Sequence, residues 1–275
     1  MRVLLKNRAL LKISGKDSGE FIQNQFSNDI EKLNHSSIQI NAYCQHQGKI
    51  IGLFWVMRYE DNFLLSFPID LVDVIKSRLQ IFVIMSDVII DDISASCSQI
   101  GLIDEKHSNA YSINDRLSLI IDNTIDKFNS KIEENTEWTL ACIKSSLPEV
   151  FLATSEKFVP QMLNLDIDEF GVNFSKGCYP GQEVVARLHY LGEAKRRLFS
   201  FTSDSEMKVG ESLFCASSKA AKARGNRYKG SGIVVSKVKY NSIFYCLATL
   251  DVDLLSDKIT LNNEHGPILN KINNE

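Results

Sequence analysis

The stretch Lys176-Gly177-Cys178-Tyr179-Pro180-Gly181-Gln182-Glu183-Val184-Val185-Ala186-Arg187 can be read residue by residue. Pro180-Gly181 sets a tight turn, and Gly177 and Gly181 permit backbone conformations closed to other residues. Residues 182–187 suit a short helix, with Glu183 in its first turn, where a carboxylate is favoured. Cys178 then falls just ahead of the positive end of that helix and two residues from Lys176. Both neighbours favour thiolate over thiol, the form that serves as nucleophile, redox group or soft-metal ligand. The plainer alternative is a small buried cysteine in a glycine-rich turn.

Outward from this stretch the texture differs on the two sides. Beyond Lys195, short strands are expected at 197–201, 212–214, 231–238, 243–250 and 258–261, separated by Gly, Asn or Asp and without a convincing helix. Five or six such strands predict a small antiparallel barrel, with the boundary at Gly192 dividing the chain into 1–192 and 193–275. Upstream, a strand at 9–13 ends at Gly15, and Asp17 with Glu20 resembles a capping box opening a helix that presents Phe21, Ile22 and Phe26. Strands at 38–44 and 51–59 flank a Gly48-Lys49 turn, and Glu60-Asp61-Asn62 turns into a strand at 63–67. Pro68 opens a helix with Leu71, Val74, Ile75, Leu79 and Phe82 on one face, and strands follow near 87–93 and 99–103. This is an antiparallel α+β pattern, without the βαβ rhythm of a doubly wound sheet.

Composition narrows the class further. The 275 residues are 44% hydrophobic and 24% charged, which excludes disordered and fibrous chains. No apolar run approaches the roughly 20 residues of a membrane-spanning helix. Lys6, Arg8 and Lys12 interrupt the N-terminal stretch, so no signal-peptide core forms. The 6 cysteines, at 44, 97, 142, 178, 215 and 246, include no C-x-x-C pair, and 5 histidines are scattered. Neither a zinc site nor a disulfide framework is expected, and a reduced, cytoplasmic setting is. The net charge of −3 conceals a basic segment, residues 176–240, with 13 Lys or Arg against 5 Asp or Glu. Such a segment suits an anionic partner (polyglutamate, phosphate or nucleic acid) or is simply a solvated barrel rim.

K-G-C-Y-x-G-Q-E, followed two residues later by A-R, resembles the signature of the YgfZ family, folate-binding, iron–sulfur-related proteins of the aminomethyltransferase (GcvT-like) superfamily. Gln23-Asn24-Gln25-Phe26-Ser27-Asn28-Asp29 is similar to that family's Q-x-Q-x-[ST]-x-D segment, and Pro160-Gln161-Met162-Leu163-Asn164-Leu165 to its P-Q-x-x-N-L stretch. His189-Tyr190-x-Gly192 and Lys195-Arg196-Arg197 resemble the passage into its terminal barrel.

The resemblance implies a GcvT-like fold of three subdomains around a central, folate-sized hole, the last a small β-barrel. It implies tetrahydrofolate as ligand, with Trp138, Asn28 and Asp29 as contacts, although Trp138 also reads as a core aromatic and Asn28 and Asp29 as loop caps. Where the family often has a tryptophan before the first strand, this chain has Arg8. That change either removes a ring contact or puts a cationic group near a glutamate tail.

Cys178 becomes the reactive thiol or transient iron–sulfur cluster ligand, Lys176 and Arg187 set its electrostatics, and Gly177, Tyr179, Gly181, Gln182 and Glu183 shape the turn. No stable metal is expected, because one cysteine cannot hold a cluster. The function implied is that of a monomeric accessory protein rather than an enzyme. It would serve iron–sulfur client or assembly proteins, including radical-SAM tRNA-modifying enzymes, and so touch tRNA indirectly. The alternatives are a folate-dependent aminomethyl or one-carbon transferase, and an RNA-binding module using Lys219, Lys222, Arg224, Arg227 and Lys229.

Overall fold

The computed structural model describes residues 1–84, 86–123, 135–218 and 230–272. The chain divides into two compact units. The first comprises Met1–Asn135, Val150–Pro160 and Leu165–Arg187; the second comprises Thr136–Glu149, Gln161–Asn164 and Leu188–Glu275.

The first unit opens with β1 (Arg2–Leu4), β2 (Arg8–Ser14) and α1 (Ser18–Gln25), followed by β3 (Gln39–Cys44), β4 (Ile50–Tyr59) and β5 (Asn62–Pro68). Next come α2 (Val72–Gln80), β6 (Ile89–Asp92), β7 (Ser98–Ile103), β8 (Tyr111–Ser112) and β9 (Leu117–Asp122). Two antiparallel sheets result, one ordered β3-β4-β5-β2-β6 and the other β1-β7-β9-β8. Residues 50–57 of β4 are buried on both faces, so the strand reads as a continuous apolar run rather than an alternation.

The core of the first sheet holds an aromatic cluster. Phe54 lies 4.9 Å from Phe26 and 5.1 Å from Phe67, and Phe26 meets Tyr43 edge-on at 5.7 Å between ring centres. Edge-to-face pairs of this kind add about 0.5–1.5 kcal/mol beyond their buried area. Because Phe26 immediately follows α1, the cluster fixes the C-terminal end of that helix.

Local readings need three corrections here. The Asp17 carboxylate does not cap α1; it accepts the backbone N–H of Asp87 at 2.8 Å, so no capping box forms. Pro68 ends β5, a 3-10 turn covers Ile69–Leu71, and α2 begins only at Val72. Leu71, Ile75 and Leu79 are buried as their spacing predicts, but α2 stops at Gln80 and leaves Phe82 exposed. Strands β1, β8 and β9 are not announced by the sequence pattern; β1 and β8 are too short to show an alternation.

In the second unit, β10 (Arg196–Ser203), β11 (Ser212–Phe214), β12 (Gly232–Tyr240), β13 (Ile243–Asp251), β14 (Ile259–Leu261) and β15 (Ile268–Lys271) close an antiparallel barrel in the order β10-β13-β12-β11-β14-β15. Phe201, Leu213, Val234, Cys246, Ala248 and Leu250 fill its core. Two pieces from earlier in the chain join it. Helix α3 (Thr136–Lys144) lies on β12 and β13. Asn164 clamps β10: its amide donates to the Leu198 carbonyl at 3.0 Å, and its Oδ1 accepts the Leu198 N–H at 3.3 Å. The second unit thus takes up Gln161–Asn164 from the P-Q-x-x-N-L stretch, with Arg197 also donating to the Gln161 carbonyl at 3.0 Å. No helix among the described residues is long and apolar enough to cross a membrane.

Candidate functional site

The signature stretch forms a loop followed by α4 (Gln182–Leu191). Its second half is a tight turn. The Gln182 N–H donates to the Tyr179 carbonyl at 3.1 Å, Pro180 occupies the second position, and Gly181 has φ +81°. A proline followed by a left-handed residue defines a type II turn, which favours glycine at the third position. The fit is tight as well as left-handed: a Cβ on Gly181 would lie 2.5 Å from the Gln45 carbonyl oxygen and 2.8 Å from the Gly48 Cα. The β3–β4 hairpin turn, closed by Gln45 N–H to Lys49 oxygen at 2.9 Å, therefore seats directly on the Pro180-Gly181 turn. Gly177 differs from its partner. It is not left-handed, and a Cβ there would meet nothing within 4 Å, so the expectation that both glycines serve special backbone conformations holds only at Gly181.

Lys176 is buried, and its ammonium donates to three carbonyls: Gln23 and Phe26 at 2.5 Å each and Asn28 at 3.0 Å. These carbonyls belong to the last turn of α1 and the chain just beyond it, where unpaired acceptors and the negative end of the helix dipole favour a cation. Burial pushes the ammonium down to about 8, with Asp29 pulling in the opposite direction. Hydrogen bonds to a charged group contribute about 1.5–3 kcal/mol each, enough for three of them to offset a penalty of several kcal/mol for burying one ion. Lys176 is thus an anchor. Its charge is committed to α1 rather than offered to Cys178 alone, which changes the electrostatic role expected of it.

Tyr179 is the second anchor. It is buried, and its ring lies 5.3 Å from the Lys176 Nζ. Its hydroxyl has no hydrogen-bond partner among the described residues, and burial pushes the phenol upward, with Cys44 adding to the effect. Between these anchors Gly177 and Cys178 are exposed. Among the cysteines, Cys44, Cys142, Cys215 and Cys246 are buried, Cys97 is intermediate and Cys178 is exposed; none is in a disulfide. Glu183 and Arg187 are exposed on α4 and Gln182 is half-buried, while Val185 is the helix's buried residue.

The residues expected to contact folate have other duties. Asn28 is buried, and its amide nitrogen donates to the Ile40 carbonyl at 3.0 Å and more weakly to Glu169 at 3.4 Å. Its Oδ1 accepts the Asp29 N–H at 2.9 Å. The Asp29 Oδ1 accepts from Gln23 Nε2 at 2.9 Å and from the Glu31 N–H at 3.2 Å. The Q-x-Q-x-S-N-D segment is therefore a hydrogen-bonded brace under the Lys176 anchor, the capping alternative rather than a free pterin edge. Trp138 is 4% exposed in α3, in the second unit. Arg8 is also buried, its guanidinium 3.7 Å from the Trp55 ring centre and its Nε donating to Ser66 at 2.8 Å. As placed, Asn28 and Trp138 present neither a free polar edge nor an open ring face, so these residues do not fit a pterin. Among the described residues no three His, Cys, Asp or Glu converge to hold a metal. The basic stretch with Lys219, Lys222, Arg224, Arg227 and Lys229 lies outside the described residues.

Sequence reasoning missed the partners that hold the loop: the carbonyls ending α1 and the Gln45–Lys49 turn. Only the general preference of a helix C-terminus for a cation pointed to the first of them.

Comparison with known proteins identifies this architecture. A crystal structure of the glycine cleavage system aminomethyltransferase T from Bartonella henselae matches 98% of this chain and 84% of its own, with a TM-score of 0.67 at 11% identity. The fold is that of the GcvT-like proteins. No family model matches the chain. Among curated sequences, it is 29% identical to the tRNA-modifying protein YgfZ of Colwellia psychrerythraea, over 71% of this chain and 69% of that one. It is 26% identical to the tRNA-modifying protein YgfZ of Aliivibrio fischeri, over 92% and 86%. An uncharacterized protein of Haemophilus influenzae is 25% identical over 93% and 91%. In its signature loop, its fold and these relatives, the chain is similar to the YgfZ proteins.

Proposed function

We propose that this protein supports tRNA modification as a cytoplasmic accessory factor, with Cys178 as its working thiol and iron–sulfur clusters of client enzymes as its cargo. The observation that carries the reading is the display of Cys178 at the surface between two buried anchors, while most of the other cysteines are packed away. A free cysteine is ordinarily among the most buried residues, so a thiol held outward by a braced loop is placed for chemistry with another molecule. The tRNA-modifying names of the relatives supply the process.

A cluster takes four ligands. Cys178 therefore acts as one shared or transient ligand, or as a thiol on the client's cluster, with the remaining ligands coming from the client or an assembly protein. Arg187 and the start of α4 contribute positive charge around that exchange. Tetrahydrofolate enters this proposal through the family resemblance; no step is assigned to it, because the three residues named for it are otherwise engaged.

The test is complementation of a strain lacking the protein, reading thiolated tRNA. Cys178→Ala should fold with an unchanged melting temperature and leave tRNA thiolation at the level of the deletion. Full restoration by that variant would sink the role of the thiol. Folate is tested separately by intrinsic tryptophan fluorescence with tetrahydrofolate, beside Trp138→Phe; the same quenching in both proteins would remove Trp138 from the site.

A further inference from the structure

The five-stranded sheet of the first unit ends on β6, which pairs with β2 on one side and, among the described residues, with no strand on the other. Such an edge presents backbone donors and acceptors in a row and is a template for one more strand. Its side chains are open as well: Ile89, Asp91 and Asp92 are exposed and Ile90 is half-buried. The chain that enters this strand is apolar. Ile81, Phe82 and Ile84 are exposed, Ile84 by 81%, and with Ile89 they place four large apolar side chains in solvent between positions 81 and 89. Scattered apolar residues on a surface are ordinary, but a run of them leading into a free edge marks an interaction surface.

Charge and register decide what fits. Residues 79–105 hold five Asp or Glu and no Lys or Arg, and Asp87, Asp91 and Asp92 fall in or just ahead of β6. The cations that meet them come from β2 and the turn after it: Lys12 lies across from Asp91 in the register, and Lys16 is 4.0 Å from Asp87. A strand added on the outer edge would meet Asp91 and Asp92 from the other side. A second copy of β6 fits poorly there. In every antiparallel self-pairing that aligns three or more of Ile89–Asp92, Asp91 faces an isoleucine or another aspartate. Like charges directly opposite are destabilising, and a carboxylate covered by an aliphatic side chain loses water without gaining a partner.

We propose that β6 is a docking edge that takes a strand from a partner protein. The segment it accepts is extended, carries Lys or Arg across from Asp91 and Asp92, and carries aliphatic residues across from Ile89 and Ile90. Backbone hydrogen bonds along the edge supply affinity, and the two carboxylates select the partner by charge. Ile81, Phe82 and Ile84 give the rest of that partner an apolar surface to cover.

The test titrates the full chain into two fluorescein-labelled peptides, T-K-R-V-V-V-T and T-E-E-V-V-V-T, and reads anisotropy. The basic peptide should bind saturably and the acidic one at least tenfold more weakly, and hydrogen exchange in the basic complex should slow along β6. Asp91→Lys should weaken the basic peptide about tenfold, as an opposite-charge pair becomes a like-charge pair, and should now prefer the acidic peptide. That exchange of preference is a result that mere loss of folding does not give. No saturable binding by the parent, or slowed exchange confined to residues away from 81–92, would overturn the proposal. Equal binding of both peptides would overturn the charge assignment. A concentration-dependent dimer in sedimentation with slowed exchange along β6 would assign the edge to a second copy and overturn the partner strand.

Discussion

The loop ahead of α4 and the barrel strand β13 each carry a cysteine and treat it in opposite ways. Cys246 lies in the barrel core, fully buried, and burial pushes its thiol up to about 12. Cys178 is exposed, although Lys176 and Tyr179 on either side of it are buried. The barrel hides its thiol by ordinary strand alternation. The loop presents its thiol by anchoring Lys176 and Tyr179 on either side of it. Exposure at Cys178 is thus an outcome of tight packing, and each anchor is a place where the contrast can be broken.

The largest expected effect is on the thiols themselves. With a thiol-specific reagent in excess, Cys178 should label fastest, and Cys246 at least roughly a thousandfold more slowly, since it reacts only through opening of the barrel core. Comparing the parent with Cys178→Ala by mass spectrometry assigns the fast site. Similar rates for the two cysteines would end the comparison.

Next in size is the turn. Gly181→Ala combines a left-handed backbone with a Cβ driven onto the Gln45 carbonyl and should cost about 3 kcal/mol, read as a lowered urea midpoint. Because the clash is with backbone, the Gln45–Lys49 turn must shift, and slow-exchanging amides in β3 and β4 should lose protection.

Lys176→Met should cost about 2 kcal/mol at pH 7, because three carbonyls lose a charged donor. The cost should depend on pH in a definite sense. The folded lysine lies near 8 and the ordinary value is 10.5, so between them the unfolded chain holds the proton that the folded chain has released. Stability of the parent therefore rises with pH through that window, and Lys176→Met lacks the rise. The stability gap between the two proteins should be constant below about pH 8 and widen toward pH 10. A gap that narrows would mean that the carbonyls hold the ammonium charged.

How far the sequence could be read follows from these same residues. The tight turn is legible because Pro180 and Gly181 are adjacent and their preferences are local, whereas its type follows from the φ of Gly181. The barrel was visible because short strands and turn residues alternate along 196–271. Lys176 was seen as a charge two positions from Cys178, but its partners lie about 150 residues upstream, and no local pattern connects them. Asn28 and Asp29 were noticed as polar residues beside a helix. Whether they face a ligand or brace a loop depends on Ile40, Glu169 and Gln23, which only the folded chain brings to them. All six barrel strands lie beyond Gly192, whereas α3 and Asn164 join the barrel unit from earlier in the chain.

A smaller effect sharpens the role of the second anchor. Tyr179→Phe removes a buried hydroxyl that has no partner, so stability should stay level or rise by up to about 1 kcal/mol while Cys178 labelling is unchanged. A loss greater than that would reveal a partner for the hydroxyl and make Tyr179 part of a polar network.

The smallest effect belongs to Gly177, and it separates anchoring from mere glycine content. Both signature glycines look alike in the sequence, yet Gly177 is exposed, outside the left-handed region and clear of any atom within 4 Å of an added Cβ. Gly177→Ala should therefore shift stability by no more than about 0.5 kcal/mol, and the sign should favour the variant, since alanine narrows the unfolded ensemble at a compatible position. If function in tRNA thiolation also survives, the glycine is only a spacer beside the thiol. If stability holds and thiolation falls, the free space at Gly177 is room for the molecule that approaches Cys178. The position would then mark the approach path to the thiol, which a stability measurement alone does not detect.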